Sequence, residues 1–152
     1  MTTTAEDINK EFDQKREALI KQLTPISVVG ANSTDFPKST NFQGALVFTI
    51  HLDRVPSNDW VQLFQQACHV PRSASQRESN VLGDCIKVII GSGDDLQFQI
   101  DIVKDIISSA NQLAAIHLNN KALPKLELER KNALSELKSV NDLQAKAKNL
   151  RF

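Results

Sequence analysis

Cys68, His69 and Cys85 are the residues of this chain that first suggest chemistry. Thiolate and imidazole are zinc ligands, and a zinc site needs three or four such groups converging at about 2.0–2.3 Å. Cys68 and His69 are sequence neighbours near the end of a helical pattern. Their side chains therefore leave the helix about 100° apart. No CxxC or HxxxH spacing supports them. The expectation is that no metal or other cofactor is held, and that both cysteines are small apolar packing residues. A nucleophilic thiol would need an exposed cysteine with a histidine base beside it. Cys68 reads as part of an apolar helix face and Cys85 as the opening of an apolar strand, so both are expected to be inert.

His51 is the remaining acid–base candidate. It lies mid-strand beside Thr49, with Asp53 two residues on. The tripeptide Ile-His-Leu recurs at 116–118. Paired histidines on matched strands, each followed by a hydroxyl residue, could perform phosphoester chemistry. Here Asp53 and Asn119 follow instead, and His117 falls in a helical pattern. Gly91-Ser92-Gly93 lacks a third glycine and the Lys-Ser/Thr pair of a phosphate loop, and two acids follow it. A small enzyme centred on His51, Asp53 and the segment Arg72 to Gly83 is the weaker functional reading.

These residues are positioned by elements that the sequence pattern predicts. Thr4 caps an N-terminal helix with Glu6 and Asp7 in its first turn, and Thr24-Pro25 ends it. Ile26–Val29 reads as a short strand. Leu46, Phe48, Ile50 and Leu52 alternate along the clearest strand, within 44–53. Ser57 caps a helix bearing Trp60, Val61, Leu63, Phe64, Ala67 and Cys68, and this helix stops before Pro71. The span 72–83 is polar and reads as a flexible loop. Ile86, Val88 and Ile90 mark another strand. Gly91–Asp95 has hairpin-turn chemistry, and Leu96, Phe98 and Ile100 alternate as its return strand. A helix over 101–118 is expected to break at Asn119-Asn120. Pro124 then opens a final helix that runs to Phe152.

The predicted fold class is α+β. An antiparallel sheet of about four strands is built from two β-β-α units, flanked by an N-terminal helix and a long amphipathic C-terminal helix. Residues 1–120 form the core domain, and 121–152 form a helix packed on that core or on a partner. The expected core joins Leu46, Phe48, Ile50, Trp60, Phe64, Ile86, Val88, Ile90, Phe98, Val103 and Ile106.

Charge is balanced, with 18 basic and 18 acidic residues in 152. It is not evenly spread. From Lys121 onward eight basic residues face four acidic ones, leaving +4 there and −4 before it. The final helix carries a stripe of Leu126, Ala133, Leu137, Val140 and Ala147. A non-enzymatic interaction module follows as the expected function. Leu126, Leu137 and Val140 supply apolar contact, while Lys138 and Arg151 set orientation. The expected partner is another protein or a second copy of the chain. Nucleic acid, held by the basic helix, is the alternative, although Tyr is absent and no aromatic residue lies among those cations. No apolar run reaches the roughly 18–20 residues of a membrane span, and the N-terminus lacks the features of a secretory signal. With only two cysteines, a reducing cytoplasmic setting is expected.

Overall fold

The computed structural model describes residues 2–151. Its elements in chain order are α1 (Ala5–Gln22), β1 (Val28–Ala31), β2 (Leu46–Leu52), α2 (Asn58–Cys68), β3 (Ser79–Leu82), β4 (Cys85–Ile90), α3 (Leu96–His117) and α4 (Leu123–Lys148). A π-helical turn, Leu118–Ala122, joins the last two. The fold is α+β. One antiparallel four-stranded sheet has the order β1-β2-β4-β3, so β2 and β4 are central and β1 and β3 form the edges. Two β-β-α units are present, as the sequence predicts, but the second contains different strands.

The contacts gather into two compact units. The larger, Gln22–Ala115, holds the sheet with α2 and most of α3. Its core follows from the period-two pattern of the central strands. Phe48 pairs with Val88 and Ile50 with Ile86, and all four are buried on one sheet face. Trp60 and Phe64 of α2 stack with ring centroids 5.5 Å apart. Val103, Ile106 and Ala110 complete the buried set from α3. Each large apolar side chain buried this way contributes roughly 1.5–3 kcal/mol. Asn111 closes the polar account of this core. Its Oδ1 accepts from the Trp60 indole at 2.9 Å and from the Ile26 amide at 3.0 Å, and its Nδ2 donates to the Ile26 carbonyl at 2.9 Å. Indole and peptide groups thus enter the interior without losing hydrogen bonds.

The smaller unit joins residues up to Lys21 with those from Ile116 onward. Here α1 begins with a reciprocal cap. The Asp7 amide donates to Thr4 Oγ1, and the Thr4 amide donates to Asp7 Oδ2. Ile8 and Phe12 are its buried residues. Arg130 of α4 donates to Asn9 Oδ1 at 3.0 Å and pairs with Glu127 one turn back on its own helix.

Three sequence expectations are corrected by the structure. Residues 72–83 are not loop throughout. Ser79–Leu82 pair with Cys85–Val88 as β3, and Gly83 turns the hairpin at φ +61°. Arg72 fixes the preceding segment. It donates to the Ala67 and Val70 carbonyls at the end of α2, to Asp105 Oδ2 at 2.6 Å and to Ser109 Oγ. The strand is illegible in sequence because Ser79-Asn80 carries no apolar alternation. What selects it is the unpaired edge of β4.

Leu96, Phe98 and Ile100 are not a return strand but the first turns of α3. Asp94 Oδ2 accepts from the Gly91 amide, closing the turn, and Asp95 Oδ1 accepts from the Phe98 amide as a helix cap. Five alternating residues fit either period, and the cap decides for the helix. Phe98 is consequently 40% exposed rather than in the core, and Gln99 is buried, donating to the Ser75 carbonyl.

Asn119-Asn120 does not break the helix. The backbone stays helical from Leu96 through Lys148, and the Leu123 amide bonds to the Leu118 carbonyl five residues back. Pro124 explains the widened turn. Its ring would collide with the carbonyl four residues before it, and it offers no N–H. One residue inserted into the ladder removes the collision without ending the helix.

Candidate functional site

Every residue from 138 to 151 on α4 and its closing turn is exposed. The predicted contact residues divide at this point. Leu126 and Leu137 are half-buried; Leu126 lines clefts with Phe12 and Leu19 of α1. Val140 is 49% exposed, and Lys138 and Arg151 are exposed. The structure thus does not present the predicted stripe as one continuous face. Its first half is partly covered within its own unit, and its second half is open.

The open half carries a seam of which the sequence stripe held only Val140 and Ala147. Leu143, and Leu150 just past the end of α4 at Lys148, join them at intervals of three and four. This is the spacing of the buried positions in helix pairs. Leu143 is 64% and Leu150 62% exposed. Their spacing to Val140 was visible in the sequence, but only the structure shows that the covered stripe and the open seam diverge beyond Leu137. Lys138, Lys146, Lys148 and Arg151 outnumber the single acid Asp142 along this segment.

The polar face of the sheet carries a second constellation. His51 and Cys85 are directly opposed on β2 and β4. The neighbouring Leu52 amide bonds to the Asp84 carbonyl, which makes His51–Cys85 a non-hydrogen-bonded pair, the kind whose side chains approach most closely. Cys85 Sγ lies 3.3 Å from His51 Nδ1, and His51 Nε2 lies 2.7 Å from Asn32 Oδ1. An amide oxygen only accepts, so Nε2 carries the imidazole proton and Nδ1 is left as an acceptor facing the sulfur. Asn32 is fixed in turn by its own amide, which donates to the Thr49 carbonyl. Burial pushes the Cys85 thiol up, aided by the adjacent Asp84 carboxylate, while Lys87 opposes the shift. Cys85 is therefore not the isolated packing residue that the sequence suggests. His51 was legible as a candidate, but its partners were not, because 19 and 34 residues separate it from Asn32 and Cys85.

Cys68 has another environment. Burial raises its thiol to about 11, against a lowering by Arg72. With His69, Gln76 and Arg77 it lines a groove of about 530 Å³ beside the segment 71–80. Asp53, the other acid–base candidate, accepts from the Ser27 amide and pairs with Arg54, away from any histidine contact. Among the described residues no three His, Cys, Asp or Glu side chains gather as a metal cluster, and no helix is long and apolar enough to cross a membrane.

Comparison with family models, curated proteins and solved structures found no match.

Proposed function

We propose that this chain is a protein-interaction module that docks a partner along the end of α4. The observation that carries the reading is the exposed seam Val140, Leu143 and Ala147 of α4, followed by Leu150 past its end, on a segment where all neighbours are also exposed. Burying such a seam against an apolar helix face gains about 25 cal/mol per Å². The partner chemistry follows from charge. Lys146 and Lys148 lie beside the seam on α4 and Arg151 follows its end, so a second copy of this basic segment would bring like charges together. An acidic amphipathic helix of a different protein meets them favourably.

A synthetic peptide of about three heptads tests this, with leucine at the seam positions and glutamate at the flanks. It should bind the intact protein, weaken as salt rises, and fail when its glutamates are replaced by lysine. Leu143→Asp should abolish binding. Failure of the acidic peptide to bind, concentration-dependent self-association in its place, or preference for a generic DNA duplex would each overturn the reading.

A further inference from the structure

We infer that Cys85 is a histidine-assisted nucleophilic thiol, with His51 as its base and Asn32 as the group that orients the base, and that it reacts with small uncharged carbon electrophiles. The inference rests on three atoms in series on the polar sheet face. The sulfur stands 3.3 Å from the free nitrogen of His51, and the other ring nitrogen is held at 2.7 Å by an amide oxygen. A base within hydrogen-bond reach of its nucleophile, itself oriented by a third group, is the general arrangement of activated nucleophiles. Cysteine, histidine and asparagine are one of its recurring sets.

The sheet supplies the rigidity this requires. His51 and Cys85 sit on the two central strands, and Asn32 is tied to the backbone of β2. Groups held on paired strands keep their separation better than groups on loops. Both side chains are only half-buried, so a small reagent reaches the sulfur. The charged groups facing the thiol are Asp84, whose Oδ1 accepts from Sγ at 3.3 Å, so that the S–H must turn from it to His51 for transfer, and Lys87, whose ammonium donates to Thr49 Oγ1 at 2.9 Å on the same face. Just past β1 and on β3 the neighbours are Asn32 and Leu82, both uncharged. The nearest full charge is therefore a carboxylate, which repels anionic electrophiles and favours neutral ones. Asp84 and burial also keep the resting thiol protonated, so the route to reaction is proton transfer during attack rather than a standing thiolate.

With iodoacetamide as the probe, the Cys85 S–H proton passes to His51 Nδ1. The sulfur pair forms the S–C bond, the C–I bond breaks, iodide leaves with its electrons, and the imidazolium returns its proton to solvent. Site-resolved mass spectrometry of the full chain at neutral pH should show Cys85 alkylated about tenfold or more faster than Cys68. His51→Ala should slow Cys85 by about tenfold or more and leave Cys68 unchanged. Asn32→Ala retains the base but frees its orientation, and should slow Cys85 with the sheet intact. An unchanged Cys85 rate in whichever of the two variants is folded would overturn the inference.

Discussion

At the scale of single residues, Asn111 does the most specific work. It satisfies an indole N–H and both backbone groups of Ile26 from one amide. Asn111→Leu should cost about 2–4 kcal/mol, because the Ile26 and Trp60 donors lose their acceptor. Denaturant melts with an unchanged slope would confirm that the loss is of stability and not of cooperativity. Asp94 offers a pH test. It accepts two hydrogen bonds from Arg77 and one from the Gly91 amide, and these hold its carboxyl below the usual range. A depressed carboxyl stabilises the fold above its unfolded pKa, near 3.9, and that contribution disappears as pH falls through the lower folded value. Acid unfolding should therefore begin at higher pH in Arg77→Ala than in the parent. Superimposable acid titrations of the two proteins would show that the pair contributes nothing.

At the scale of elements, the helix from Leu96 to Lys148 is held by different devices along its length. Its start depends on Asp95, and Asp95→Ala should cost about 1 kcal/mol through loss of the cap. Its middle depends on burial. Phe64→Ala in the facing α2 should cost about 3–5 kcal/mol, as expected for a fully buried aromatic ring. A Phe64→Ala variant that melts with the parent would place the core elsewhere. The π-helical turn is attributed to Pro124, so Pro124→Ala should allow a regular α-helical ladder through 118–124. Amide exchange in this segment should slow in the variant. Equal exchange would show that the turn has another cause.

At the scale of the molecule, Leu137 and Leu143 belong to the same compact unit but differ in exposure. Leu137 is half-buried, so Leu137→Asp should perturb folding of the unit that contains α1 and α4. Leu143 is exposed, so Leu143→Asp should leave the thermal melt within about 0.5 kcal/mol of the parent and act only on association. Thermal melts and scattering masses on the same samples separate the two effects. A loss of stability at Leu143 equal to that at Leu137 would mean that the distal helix is covered within its own chain.

Local pattern by itself determined much of this protein. The alternation in Phe48, Ile50 and Leu52, the cap at Ser57, the apolar spacing of Trp60 and Phe64, and the run of Ile102, Val103 and Ile106 each place an element with its buried face. These signals are legible because the period and the cap lie within a few consecutive residues. Pairing across the chain had to decide the rest. Ser79–Leu82 become a strand because β4 leaves an edge to be filled, and Phe98 turns outward because the cap at Asp95 wins over alternation. The His51–Cys85–Asn32 series is the clearest case. Sequence marks His51 as an acid–base candidate but neither of its partners, and only the register of β2 on β4, with β1 beside them, brings the three within hydrogen-bond distance. Register is a property of paired strands, and no single segment of sequence contains it.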